Sequence, residues 1–174
     1  VNNINNLEKI GEGAFFQCSS LVRISLPESL ESIGAEAFSF CSSLSVAELS
    51  DNIKYVGDSA FSYCSSLCVL DLGGLNNISN NMFEKCTSLA RVDIGKDVDS
   101  IGEYAFRGCS SLQDVSISKN VKSIGTCALE DTEWLNGRTE EFVIVGDGIL
   151  IKYNGFEDNI TIPNNVIKII DAFY

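Results

Sequence analysis

The tract Ile10-Gly11-Glu12-Gly13-Ala14-Phe15, followed by Cys18-Ser19-Ser20-Leu21 and then by Ile24, Leu26, Pro27 and Leu30, decides the fold because the chain repeats it. The same order returns at Ile33, Gly34, Ala37, Phe38, Cys41, Ser42, Ser43, Leu44, Ala47, Leu49 and Ile53. It returns again from Val56 through Phe61, Cys64, Leu67, Leu70 and Leu72, and from Ile78 through Phe83, Cys86, Leu89, Val92, Ile94 and Val98. A fifth copy runs from Ile101 through Phe106, Cys109, Leu112, Val115, Ile117 and Val121, and a sixth opens at Ile124 and fades after Leu129. Starts at 10, 33, 56, 78, 101 and 124 are spaced by 23, 23, 22, 23 and 23 residues. A unit this short cannot bury its own apolar face, so the copies must stack into a solenoid with one continuous core.

Within a unit, Leu21-x-x-Ile24-x-Leu26 ends in period-two alternation, which predicts a strand. Successive copies then lay parallel strands side by side. In Ala-Phe-x-x-Cys the Phe and Cys are three apart, a spacing that suits one turn of α- or 3₁₀-helix with its inner face in the core. Gly11, Gly34, Gly57, Gly102 and Gly125 share the slot after the first apolar residue, where a bend or a positive φ is expected.

These motifs resemble the leucine-rich repeat superfamily and, in detail, its BspA-like (Treponema-type) class, over residues 10–132 and again at the end. The resemblance implies an α/β repeat solenoid with units of about 23 residues, a parallel sheet on the concave face and short helical or 3₁₀ turns opposite. It also implies a secreted or cell-surface protein of a gut or oral anaerobic bacterium, acting in adhesion. It assigns no functional residues, because leucine-rich repeats are scaffolds with many unrelated ligands.

The period breaks after Ile124. The strand residue equivalent to Ile24 is due at 138, and the next match is Ile160, 22 residues later, followed by Ile162, Pro163, Val166 and Ile169. The intervening Phe142-Val143-Ile144-Val145, Gly146-Asp147-Gly148 and Ile149-Leu150-Ile151-Lys152-Tyr153 read as a β-hairpin that takes one coil's place in the stack. Trp134 and Leu135 are expected to pack where the sixth turn ends. Residues 1–174 are thus read as one solenoid fragment: 1–9 the tail of a preceding unit, 10–132 regular, 133–159 irregular, and 160–174 a truncated return. No cap is evident at either end, so the chain is expected to come from a longer protein whose signal and anchor lie outside it.

Composition narrows the chemistry. The 174 residues hold 24 acidic and 12 basic side chains and no histidine, for a net charge of −12. That charge opposes nucleic acid and anionic membranes, and no apolar run is long enough for a membrane span. Without histidine there is no Ser-His-Asp or Cys-His catalysis and little prospect of a zinc site. Of seven cysteines, Cys18, Cys41, Cys64, Cys86 and Cys109 fill one repeat slot and read as reduced core thiols, while Cys68 and Cys127 fall elsewhere. The recurring Ser-Ser-Leu triplets read as turn hydrogen bonders rather than nucleophiles.

What remains is the outward side of the strands. Ser25, Glu48, Asp71, Asp93 and Ser116 form one column, and Arg23, Val46, Val69, Arg91 and Asp114 its neighbour. At a strand spacing of about 4.8 Å, Glu48, Asp71 and Asp93 become stacked carboxylates that repel one another, with Arg91 placed to relieve Asp93. Such a column suits a solvated acidic face, a ligand patch or a calcium site. The ligand-binding candidates are accordingly Glu48, Asp71, Asp93, Arg91, Val46 and Val69, with no catalytic or metal-binding residue and no cofactor. Glu48 and Asp71 at about 5 Å would match a retaining glycosidase pair, but no pocket or sugar-stacking aromatic accompanies them. The expected function is therefore non-catalytic binding of a protein or peptide partner, host or extracellular. The alternative is an architectural spacer that presents flanking domains from the cell surface.

Overall fold

A computed structural model describes residues 6–173. The expected tail over residues 1–5 and the terminal Tyr174 lie outside the described residues. The elements are β1 (Lys9–Ile10), β2 (Ser32–Ile33), β3 (Val46–Glu48), β4 (Tyr55–Val56), β5 (Val69–Asp71), β6 (Asn77–Ile78), β7 (Arg91–Ile94), β8 (Ser100–Ile101), β9 (Asp114–Ile117), β10 (Ser123–Ile124), α1 (Glu133–Asn136), β11 (Phe142–Val145), β12 (Ile149–Tyr153) and β13 (Lys168–Ile169). Together they wind a β-solenoid of about seven turns with parallel pairing between coils.

Each coil carries two strand positions where one was expected. The expected position, after the Ser-Ser-Leu triplet, holds β3 beside β5 and β7 beside β9, with Arg23 bridging Val46. The second, at the first apolar residue of each repeat, holds β1, β2 and β4 in one sheet and β6, β8 and β10 in another. Two residues are too few to show alternation, so this position left no periodic trace in the sequence. Both rows break between the third and fourth coils, at the 22-residue spacing. There the turn Leu72-Gly73-Gly74-Leu75 is one residue shorter than Leu49 to Ile53 one coil earlier. Gly73 has φ +54°, and a Cβ there would lie 2.3 Å from Leu49 O, so only glycine permits the shortcut.

The tracts expected as helical turns are not helical. Ala-Phe-x-x-Cys is a run of tight turns with one left-handed residue just before it and one at its second x, such as Glu36 and Phe40, Ser59 and Tyr63, or Tyr104 and Gly108. Alternate N–H groups turn inward to the third residue back, as Cys41 N does to Phe38 O at 3.1 Å. The others donate to the next coil: Glu36 N to Asp58 O, Phe38 N to Ala60 O and Phe40 N to Ser62 O, at 2.8–2.9 Å. A left-handed non-glycine residue costs about 1–2 kcal/mol, and here the inter-coil bond of that same residue's N–H holds it in place. Helix is confined, among the described residues, to α1, capped by the Thr132 side chain.

The glycine slot also has a different cause from the one expected. Gly34, Gly57, Gly102 and Gly125 do not have positive φ; a Cβ on each would come within 2.3–2.6 Å of a backbone nitrogen in the preceding coil. Gly11, with no described coil beneath it, meets nothing within 4 Å.

Inside, the repeat residues form columns. Phe15, Phe38, Phe61, Phe83 and Phe106 stack nearly parallel, with centroids 5.1–5.7 Å apart. Each buried ring contributes about 1.5–3 kcal/mol by leaving water, and each stacked pair about 0.5–1.5 kcal/mol more. Beside them Cys41, Cys64, Cys86 and Cys109 are buried free thiols, each donating to the phenylalanine carbonyl of the coil before (Phe15, Phe38, Phe61 and Phe83) at 3.1–3.2 Å. Burial pushes Cys64 and Cys109 up to about 12. Cys18 and Cys68 are exposed, and no disulfide forms. The triplet hydroxyls also link coils, Ser65 Oγ donating to Ser42 O and Thr87 Oγ1 to Ser65 O, both at 3.3 Å.

Beyond the sixth coil, Trp134 of α1 is buried beneath Arg138, whose guanidinium lies 4.4 Å from the ring centroid. β11 and β12 pair antiparallel around Gly146-Asp147-Gly148, with both glycines at positive φ. β12 enters the stack: Asp147 N donates to Val121 O below, and β13 pairs with β12 in parallel above.

Candidate functional site

The strand face positions the predicted residues by register. Ala47 and Val92 turn into the core, which sends Val46, Glu48, Arg91 and Asp93 outward. Val46 faces Val69 and Glu48 faces Asp71 across the β3–β5 ladder. Val69 is 46% exposed, and Glu48 and Asp71 are exposed beside it. The β3–β5 pair is therefore a small apolar centre with two carboxylates along one side. Asp71 Oδ1 also accepts the Gly73 N–H at 3.0 Å, so one of its oxygens serves the shortened turn.

The column loses its strand pairing between β5 and β7, although the two strands remain neighbours. Asp93 lies on the β7–β9 ladder opposite Ser116, and no strand pairing joins that ladder to Asp71. Nor does Arg91 relieve Asp93; its guanidinium reaches across the ladder to Asp114, 3.2 Å away, with both side chains exposed. A residue and its second neighbour point the same way along a strand, but the facing residue on the next strand is closer, and that proximity decides the pairing. So the six candidates sit on two neighbouring ladders: Val46, Glu48, Val69 and Asp71 on one, and Arg91 with Asp93 on the next. Among the described residues, no three metal-ligating side chains come together.

A profile of the BspA type leucine rich repeat region matches residues 1–96 and 72–158, in six copies. The chain belongs to the BspA-type leucine-rich repeat family. This is a protein-interaction fold. Among solved structures, this BspA-type chain is similar to a leucine-rich repeat protein from Bacteroides ovatus, with 25% identity and a TM-score of 0.74 over 95% of this chain and 37% of that one. It is also similar to a leucine rich cell surface protein from Faecalibacterium prausnitzii, with 25% identity and a TM-score of 0.66 over 91% of this chain and 53% of that one. The T. pallidum leucine rich repeat protein gives 27% identity and a TM-score of 0.66 over 86% of this chain and 69% of that one. The chain thus spans between a third and a little over a half of the first two. No curated protein sequence matches it significantly. Among the described residues, no helix is long and apolar enough to cross a membrane.

Two surface features of this BspA-type solenoid were not anticipated. Phe16, Phe40 and Tyr63 form an exposed aromatic row on the turn side, Phe40 and Tyr63 stacked at 4.5 Å. Phe40 and Tyr63 share one repeat slot, so the pairing could have been read from the alignment of copies. The second is a cavity of about 540 Å³ between the sixth turn tract and the chain around β12, lined among others by Leu129, Glu130, Leu135, Ile151 and Ile170. It arises from the hairpin's departure from the repeat, which leaves no periodic signal.

Proposed function

We propose that this chain is a non-catalytic interaction module of a secreted or cell-surface protein, meeting a protein partner through the outward side of β3, β5, β7 and β9. Val46, Val69, Glu48, Asp71, Arg91 and Asp93 form the contact surface, and residues 10–132, 133–159 and 160–174 are successive parts of one solenoid. The observation that carries this reading is the Val46–Val69 pair flanked by Glu48 opposite Asp71. Like charges facing each other across a ladder destabilise it by some tenths of a kcal/mol, and a partly exposed apolar pair adds nothing to a monomer's solubility. A cationic partner surface with an apolar centre would relieve both. The chain's similarity to the cell surface protein from F. prausnitzii supports the location.

A second reading, an architectural spacer that presents flanking domains from the cell surface, is favoured by the loss of strand pairing between β5 and β7 under the carboxylate column. The two are separated by capture from extracellular-matrix and serum proteins with wild type and a Glu48→Ser, Asp71→Ser, Asp93→Ser variant whose circular dichroism spectrum matches wild type. Loss of a captured partner in the variant supports the interaction surface. Equal capture by both moves the site elsewhere, and no capture by either favours the spacer.

A further inference from the structure

Three kinds of hydrogen bond recur between neighbouring coils on the strand side. Ser45 N donates to Val22 O, Cys68 N to Ser45 O and Gln113 N to Ala90 O, at 3.0–3.1 Å. Lys54 N donates to Glu31 O, Asp99 N to Asn76 O and Lys122 N to Asp99 O, each at 2.8 Å. At the glycine slot, Gly34 N, Gly57 N, Gly102 N and Gly125 N reach Ile10 O, Ile33 O, Ile78 O and Ile101 O at 2.7–2.9 Å. Between the third and fourth coils all three kinds fail together. Among the described residues, no bond runs from Ala90 N to Cys68 O, from Asn76 N to Lys54 O or from Ser79 N to Val56 O. At the last of these the Ser79 hydroxyl reaches Val56 O instead.

The turn between the two strand positions shows the same parting. Gly73 presses on the coil below, with its Cβ position 2.3 Å from Leu49 O; Gly95 follows Ile94 as Gly73 follows Leu72, yet meets nothing within 4 Å. What still joins the strand sides of the third and fourth coils is apolar, with Leu72, Leu75, Val92 and Ile94 buried in one core. Apolar burial is non-directional, so it tolerates a rotation that a ladder of aligned N–H···O bonds forbids. On the turn side the directional bonds survive: Ser59 N, Phe61 N and Tyr63 N donate to Asn80 O, Met82 O and Glu84 O at 2.7–3.0 Å, and Cys86 Sγ donates to Phe61 O at 3.2 Å. The rings of Phe61 and Phe83, 5.7 Å apart, are the widest of the four stacked pairs. One side of the boundary is bonded and the other only packed, and the chain between them carries two glycines to absorb changes in φ and ψ.

We propose that the solenoid has a hinge between its third and fourth coils, with the turn-side ladder as the axis and the opening on the strand side. Rotation about that axis changes the angle between the β3–β5 ladder and the β7–β9 ladder. It moves Val69 and Asp71 relative to Arg91 and Asp93 and leaves the pairing within each ladder intact. The hinge is a property of the chain alone and does not rest on the interaction surface; a partner that touches both ladders holds one of its angles.

Two distances that cross the boundary test it in the whole chain. Nitroxides are carried on keto amino acids, which leave the native thiols untouched, at Ser25 and Ser116 on the strand side or at Ser19 and Ser110 beside the turn tract, all four positions being exposed. Each pair spans four coil steps, about 19 Å between backbones, so pulsed dipolar spectroscopy reads both. The strand-side distance distribution should be at least about twice as wide as the turn-side one. Replacing Gly73-Gly74 by the three-residue turn Ser50-Asp51-Asn52 of the coil before restores the 23-residue spacing and should narrow the strand-side distribution to the turn-side width. Equal widths in the native chain overturn the proposal, whether or not the lengthened variant folds. A strand-side distribution that stays broad in the folded, lengthened variant also overturns it, because the motion would then lie outside the shortened turn.

Discussion

The strand side and the turn side of this solenoid respond differently to the same irregularity. At the one-residue contraction around Gly73-Gly74 both strand rows lose their pairing, β4 from β6 and β5 from β7. The turn side does not notice it: Ser59 N, Phe61 N and Tyr63 N still reach Asn80 O, Met82 O and Glu84 O at 2.7–3.0 Å, and Phe61 still stacks on Phe83. The continuity of the molecule therefore resides in the turn ladder and the aromatic column behind it. Strand residues facing water are bound by fewer constraints, which makes that side the more permissive place for recognition.

The sharpest way to break this comparison is to cut the column at the contraction. Phe61→Ala should lose about 3–5 kcal/mol in urea unfolding, because the cavity opens where strand pairing is already absent. A loss below about 1 kcal/mol would show that the strands, not the rings, hold the third and fourth coils together. An intermediate effect comes from the neighbouring thiols. Burial holds Cys64 and Cys109 near 12 in the folded chain against an ordinary value of 9.0. Above that ordinary value the unfolded chain gives up these protons while the folded chain keeps them. The contribution is thus fully present below pH 9 and declines up to about pH 12, by about 1.4 kcal/mol per pH unit for each thiol. Denaturation midpoints at successive pH values should fall accordingly, and Cys64→Ala should remove part of the slope; an unchanged slope counts against a sealed thiol column. The smallest effect belongs to the strand face. Glu48→Ser removes the charge opposite Asp71 and should raise stability by about 0.2–1 kcal/mol, with the gain fading in high salt. Destabilisation instead would mean that this face is structurally committed.

The repeat period, the stacked core and the cysteine slot were readable from the chain because each depends on identical side chains recurring at one spacing. The turn geometry was not. Phe and Cys three apart fit a helical turn and a run of β-turns equally well, and nothing in Glu36, Phe40 or Tyr104 announces a left-handed backbone; the inter-coil bond imposes it. The glycine slot was visible, but its cause is a neighbour 23 residues away rather than its own φ. The outward positions of Val46, Glu48, Val69 and Asp71 followed from alternation. Their separation from Asp93 and the pairing of Arg91 with Asp114 depended on a break in register that a single shortened turn conceals. The cavity beside Leu129 was beyond reach for a further reason, since it lies where the hairpin interrupts the repeat.

The thiol column has a kinetic consequence. Each coil from the second to the fifth holds one buried sulfhydryl whose hydrogen is committed to a carbonyl of the coil before it. Alkylation of that sulfur must wait until its own coil parts from its neighbour, so the rate of modification at each site is a clock for local opening. Cys18 and Cys68, already at the surface, set the zero of the scale. A mass-resolved time course would therefore rank the coils by the ease with which they separate, with every reporter already built into the native chain.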